Sequence, residues 1–315
     1  MKAVITKAYG SADVLSVENV DKPIIGEDEI LVEVRAASIN PIDWKIRNGE
    51  LKMMIGKTPP RILGADYAGV VSAVGAAITG YKVGDEVFGM INGMKAKEGT
   101  YAEFVSVKES DIGIKPANCT FEEAASLPMV SLTSHKALVD IAGAKKGSRV
   151  LINGCTGGVG SAAVQIANAL GCTTTGVCST ANVEFAKELG TTAVIDYKKQ
   201  NVLEQSETYD IIFDTVGNLE FGKAKDILNG GGVYVTTNAS VPAMILNPVA
   251  NIFRSKKSKM VMSGPDSDTL QIVKKMVEDG KLKGQVANVF SIDQIVEAHK
   301  MSEKGGFRGK LLLKM

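Results

Sequence analysis

Arg149-Val-Leu-Ile-Asn153-Gly154-Cys-Thr-Gly157-Gly158-Val-Gly160-Ser-Ala-Ala-Val-Gln-Ile-Ala-Asn-Ala-Leu170 is the stretch that decides the fold. Residues 149–153 form a short apolar run of strand character, and residues 161–170 carry helical spacing. Between them lie glycines at G-x-x-G-x-x-G spacing. A strand that turns sharply into a helix requires glycine for the tight turn, for backbone approach to a ligand and for close helix–strand packing. The first turn of such a helix presents free N–H groups and the positive end of its dipole, a natural seat for a pyrophosphate. A glycine trio alone also fits an ordinary αβ turn, so the surrounding pattern carries weight.

That pattern is regular. Downstream, strands at Thr173 to Cys178, Ala193 to Ile195, Asp210 to Asp214, Val233 to Thr236 and Lys259 to Ser263 alternate with helices at 182–189 and 219–228. Alternation of this kind implies right-handed βαβ units and a parallel sheet. Upstream, residues 1–117 are short Val/Ile alternations such as Glu29 to Arg35, Ala68 to Val74 and Tyr101 to Val107, broken by Gly, Pro and Asp. They read as a compact β domain. Residues 121–142 are helical, with Pro128 as a break or first-turn residue. The tail adds helix 268–279, strand Val286 to Phe290, helix 293–302 and strand Lys310 to Leu313.

The chain has 315 residues, 45% hydrophobic and 23% charged, with a net charge of +1. That length suits two domains, and the balanced charge offers no basic face for nucleic acid. No apolar run reaches the ~18 residues of a membrane-spanning helix. The opening MKAVITKAYG reads as strand and turn rather than as a secretory signal, so a cytoplasmic location is expected. Cys119, Cys155, Cys172 and Cys178 show no Cys-x-x-Cys pairing, and His135 and His299 are the only histidines.

After the second strand of the nucleotide unit the chain reads Val177-Cys178-Ser179-Thr180-Ala181-Asn182. NAD-specific folds carry an acidic residue here for the ribose hydroxyls. Its absence, with Ser179 and Thr180 as donors and Lys198 and Lys199 following the next strand behind Tyr197, points to NADPH over NADH. Ser179 and Thr180 equally suit a helix N-cap.

The order of a glycine-rich β domain, LPMVSLTSHKAL, VLINGCTGGVGSAAVQIA, AKELGTTAVIDY, DIIFDTVG and a closing GFRGKLLL resembles the medium-chain dehydrogenase/reductase superfamily over essentially the whole chain. Asn40-Pro-Ile-Asp43-Trp-Lys45-Ile-Arg47 resembles its quinone oxidoreductases and alkenal/enone oxidoreductases. The resemblance implies an α/β protein with a Rossmann-type parallel-sheet domain (residues 118–265) plus a GroES-like β domain (residues 1–117 and 266–315), the latter catalytic.

It also implies hydride transfer from NADPH to quinones or to the C=C bond of α,β-unsaturated carbonyls. Asn40, Asp43, Lys45 and Tyr67 are the implied catalytic group, with Tyr101 the other nearby tyrosine. Asn40 to Lys45 also fit an N-cap and a plain helix start. Cofactor contacts would come from Lys45, from Thr156, Gly157, Gly158 and Val159, from Ser179, Thr180 and Tyr197, from Val216, Gly217, Thr236 and Thr237, and from Arg308 and Gly309.

A catalytic zinc needs three protein ligands. No cysteine precedes Cys119 and no histidine precedes His135, and Leu63-Gly64-Ala65-Asp66 stands where zinc enzymes carry Gly-His-Glu. Only Met90 to Gly99 replaces a four-cysteine lobe, so a zinc-independent enzyme is expected, with a homodimer as a compatible assembly. The alternatives are an enoyl-thioester reductase and a non-catalytic NADPH-binding redox sensor.

Overall fold

The computed structural model describes residues 1–55, 59–94, 99–238 and 250–315. These fall into two compact units: Met1–Met129 with Gly264–Gly280 and Gly284–Met315, and Val130–Ser263 with Lys281–Lys283.

In the first unit, β1 (Lys2–Thr6) pairs antiparallel with β2 (Leu15–Asn19). The ten-residue β3 (Ile30–Ile39) is buried on both faces over most of its length, as its run of Val, Leu, Ile and Ala demands. It feeds α1 (Pro41–Arg47), which begins at Pro41, where a fixed φ costs nothing. There follow α2 (Lys52–Ile55), β4 (Arg61–Ile62), β5 (Asp66–Val74), β6 (Glu86–Met90), β7 (Phe104–Val107) and β8 (Ile112–Ile114). Residues 95–98, inside the expected stretch Met90 to Gly99, lie outside the described residues.

The expected boundary at residue 117 moves. Helix α3 (Phe121–Ala125), capped where the Thr120 hydroxyl accepts from Glu123 N at 3.1 Å, packs on β3 and β5, so this unit runs on to Met129. The helical stretch 121–142 is then three pieces. Helix α4 (Pro128–His135) restarts at the proline, and Lys136–Ile141 continues with π-type hydrogen bonding.

The second unit is the β–α alternation. It comprises β9 (Arg149–Asn153), α5 (Gly158–Ala169), β10 (Thr173–Cys178), α6 (Val183–Glu188), β11 (Ala193–Asp196), β12 (Tyr209–Asp214), α7 (Phe221–Ala224), β13 (Leu228–Thr236) and β14 (Lys257–Met260). All are parallel, in the order β11-β10-β9-β12-β13-β14. Order reverses at β9, which places the glycine turn at a topological switch point. The expected helix 219–228 is cut short because β13 already begins at Leu228, and the last strand lies two to three residues earlier than expected.

The chain returns to the first unit through α8 (Ser267–Glu278), β15 (Val286–Ser291), α9 (Ile295–Lys304) and β16 (Lys310–Lys314). Strand β16 lies antiparallel to β3, with Leu312 opposite Ser38. The sheet order β15-β16-β3-β5-β6-β8 thus joins the two ends of the chain around a core that includes Ala37, Ile39, Tyr67, Val87, Leu311 and Leu313. Among the described residues, no helix is long and apolar enough to cross a membrane.

Candidate active site

The glycine turn is built by backbone geometry. Gly154 sits at φ +78°, and a Cβ there would press on Val216 and Thr215. A Cβ on Gly160 would overlap the Gly154 carbonyl, so α5 can approach the turn only as glycine. Gly157 differs, since its Cβ would meet nothing nearer than Gly154 O at 3.6 Å. Helix α5 has no side-chain cap, and its first hydrogen bond is Ser161 N to Gly157 O at 2.8 Å. The N–H groups of Gly158, Val159 and Gly160 therefore have no acceptor within the helix. This cradle, open at Gly157 and closed at Gly160, fits a pyrophosphate.

The next turn, after β12, is organised by Asp214, which the sequence reading missed. Fully buried, it accepts from Asn153 Nδ2 (2.7 Å), Val216 N (3.2 Å), Gly217 N (2.9 Å), Leu219 N (2.9 Å) and Tyr234 Oη (2.9 Å). One carboxylate so fixes the loop of Val216 and Gly217 and ties it to the strand that feeds the glycine turn. The Thr237 hydroxyl donates to Thr215 O at 3.2 Å, and the Thr236 hydroxyl donates to Asn238 O at 3.0 Å. Both serve the loops that carry them. Thr156 is buried and accepts from Asn182 Nδ2 at 3.3 Å, linking the glycine turn to the loop after β10.

That loop corrects one expectation. A carboxylate is present after all, because parallel pairing sets Asp196 opposite Cys178. Its Oδ2 accepts from the Thr180 hydroxyl at 2.6 Å, Lys198 N donates to Oδ1 at 3.0 Å, and Lys199 Nζ lies 3.8 Å away. The Thr180 hydrogen bond is the largest cause holding the Asp196 carboxyl below its usual range, so the group is charged. Thr180 is thereby committed, whereas Ser179 makes no cap bond. Tyr197 is exposed, with Lys198 Nζ 5.2 Å from its ring centre.

In the first unit, Asn40 and Asp43, two of the four residues expected to be catalytic, lie in a buried polar cluster. Asn40 is the N-cap of α1, and its backbone N–H donates to Asp43 Oδ2 at 2.7 Å. The same oxygen accepts from Tyr101 Oη at 2.7 Å. Burial pushes the Asp43 carboxyl up to about 6 against the pull of these donors. Asn40 Nδ2 donates to Asp66 Oδ2 at 2.9 Å, and its Oδ1 accepts from the ammonium of Lys310. Neither Asp66 nor Lys310 is a site residue in the sequence reading: Asp66 stands there only as the end of Leu63-Gly64-Ala65-Asp66, and Lys310 as a charge at the start of an apolar strand.

Tyr67 is fully buried and its hydroxyl donates to Asp111 O at 3.1 Å, so it is a core residue held away from this cluster. Asp43, 1% exposed, is spent on holding the helix start and Tyr101. Lys45 is half-buried, its ammonium 5.7 Å from the Trp44 ring centre. Arg308 is exposed, and Gly309, at φ +77°, begins the turn into β16 against Gln285. Among the described residues no group of three His, Cys, Asp or Glu side chains could hold a metal. His299 is buried against Arg47, and desolvation, followed by the neighbouring guanidinium, lowers the imidazole to about 3 and so holds it neutral.

Residues 26–117 match the alcohol dehydrogenase GroES-like domain, and residues 189–313 match the model described as zinc-binding dehydrogenase. The chain is 35% identical to the 2-methylene-furan-3-one reductase of Solanum lycopersicum, covering 99% of this chain and 79% of that one. It is 32% identical, over the same shares, to the chloroplastic NADPH-dependent alkenal/one oxidoreductase of Arabidopsis thaliana. Among solved structures it resembles the quinone oxidoreductase from Coxiella burnetii, with a TM-score of 0.89 and 31% identity over 100% of this chain and 99% of that one. The chain belongs to the medium-chain dehydrogenase/reductase family, with quinone and alkenal/enone oxidoreductases among its relatives.

Proposed function

We propose that this protein is an NADPH-dependent oxidoreductase that reduces the C=C bond of α,β-unsaturated carbonyls, or quinones as their vinylogous equivalents, without zinc. The observation that supports this reading is the glycine turn before α5, whose free N–H groups fit a pyrophosphate, in a chain whose first unit also carries side-chain donors at Asn40 and Lys45. When bound, NADPH supplies the hydride for the β-carbon.

The chain does the rest. Gly158, Val159 and Gly160 offer N–H groups to the pyrophosphate, with Thr156 and Gly157 shaping the approach. Ser179, Thr180 and Tyr197 line the 2′-phosphate side. Val216, Gly217, Thr236 and Thr237 form the strand-end edge, and Arg308 with Gly309 completes the cofactor set. As the β-carbon is reduced, negative charge develops on the carbonyl oxygen. Among the described residues, Asn40 has one side-chain N–H left after its bond to Asp66, and the Lys45 ammonium forms no ion pair; these are the donors to that oxygen. Solvent supplies the proton to the α-carbon. Asp43 and Tyr101 hold the loop that carries both donors.

The test is an NADPH-oxidation assay across 2-alkenals, enones and quinones. Turnover with at least one class is expected, and no turnover with any at saturating NADPH contradicts the reading. Domain roles follow from it: the second unit binds dinucleotide and the first is catalytic. The substrate is a small molecule, with no nucleic acid and no membrane span required, and the location consistent with this is the cytoplasm.

A further inference from the structure

Lys310 carries a charge where none is expected. It is 5% exposed, in a strand whose next three residues are leucines, so solvent does little to compensate its ammonium. Three acceptors do so instead. Nζ donates to Ile39 O at 3.0 Å and to Asn40 Oδ1, and lies 3.7 Å from Asp66 Oδ2. Asp66, fully buried, also accepts from Ser38 Oγ at 2.6 Å, Asn40 Nδ2 at 2.9 Å and, on Oδ1, from Met129 N at 2.9 Å.

The consequence falls on Asn40. A carboxamide can flip by half a turn at little steric cost, exchanging its oxygen and its NH2. Here a buried cation faces the oxygen and a buried anion faces the NH2. A flip would set the NH2 against an ammonium and the oxygen against a carboxylate, two repulsive contacts in a low-dielectric interior. The amide is locked, with one N–H spent on Asp66 and the other left over.

We propose that Lys310, with Asp66, is a positioning residue of the reaction: the pair fixes the Asn40 amide so that its remaining N–H is a donor of set direction for the substrate oxygen. The inference rests on the catalytic reading of Asn40 given above. Removing Lys310 alone leaves the Asp66 carboxylate buried without its cation, at a cost in stability, whereas removing both charges together spares that cost, so the variant lacking both charges separates the effect on turnover from the effect on folding.

The experiment has two arms. In the first, kcat and KM are measured for Lys310→Met, for Asn40→Ala and for the double variant. Lys310→Met is expected to lower kcat about 10- to 100-fold, the scale for misplacing a catalytic donor, with the KM for NADPH little changed. In the Asn40→Ala background the same substitution should cost almost nothing more, because its effect passes through Asn40. Should Lys310→Met alone fail to fold, Asp66→Asn/Lys310→Met, which removes both charges, carries the same expectation. An unchanged kcat, or an equal loss in the Asn40→Ala background, overturns the proposal. The second arm needs no activity: the Asn40 side-chain amide, assigned in 15N–1H spectra by its loss in Asn40→Ala, should show 15N relaxation as rigid as the backbone in the wild type and increased mobility in Lys310→Met. A mobile side-chain amide in the wild type, or one equally rigid in Lys310→Met, would overturn the lock itself, whereas a locked amide in a protein without turnover would fault only the reading of function.

Discussion

The hydroxyl of Thr180 donates to Asp196 Oδ2 at 2.6 Å, joining the tip of β10 to the tip of β11. This contact makes cofactor choice a balance rather than a simple matter of a missing carboxylate. Asp196 is charged and lies beside the loop proposed to face the 2′-phosphate, with Lys198 and Lys199 next to it.

Cofactor preference is therefore tunable from two positions. Ser179→Asp should weaken NADPH by about tenfold or more, about 1.4 kcal/mol, while NADH binding is kept. Asp196→Asn should do the reverse and tighten NADPH severalfold by removing a like charge. Fluorescence titration with both cofactors checks each. Weaker NADPH binding by Asp196→Asn would mean that its service to Thr180 outweighs its repulsion.

The glycines of the turn should separate binding from folding. A Cβ at Gly157 has room, so Gly157→Val should keep its melting temperature and lose NADPH affinity. A Cβ at Gly160 collides with the Gly154 carbonyl, so Gly160→Ala should lose roughly 1–3 kcal/mol of stability as well. Thermal melts with and without NADPH distinguish them. Equal melting behaviour of the two variants would contradict the geometry described.

Asp43 should leave a signature in the pH dependence of stability. Its carboxyl is raised from 3.8 to about 6 in the folded protein because burial disfavours the charge. The folded state thus holds this proton more tightly. The contribution is fully present below pH 3.8 and is lost as pH rises through about 6, to a total of at most about 3 kcal/mol. Asp43→Asn should remove that slope between pH 4 and 6 in denaturant-unfolding curves, and an identical slope in both proteins would count against it.

These cases show which features the chain makes legible. The glycine turn and the strands around it are local patterns, a switch between period 2 and period 3.6, and they can be read without knowing the fold. Asp196 was invisible because it reaches Thr180 only through the parallel register of Cys178 and Asp196. Asp66 and Lys310 are 244 positions apart and break the apolar pattern of their strands, so only the pairing of β16 with β3 and of β3 with β5 brings them together. Tyr67 misled for the opposite reason: its neighbours in sequence are near the cluster, but alternation along β5 turns its ring into the core.

Metal content offers a plain check against the family model that carries zinc in its description. Elemental analysis should find no stoichiometric zinc, and chelators should leave turnover unchanged. One tightly held zinc per chain would overturn the zinc-independent mechanism.

The most direct measurement follows the transferred hydrogen. NADPH deuterated at the transferable C4 position would be incubated with the enzyme and a 2-alkenal, and the product analysed by mass spectrometry and NMR. The predicted result is a saturated aldehyde with one deuterium on the β-carbon and a solvent hydrogen on the α-carbon. An allylic alcohol with deuterium on the former carbonyl carbon would contradict it, showing that the chain reduces C=O rather than C=C.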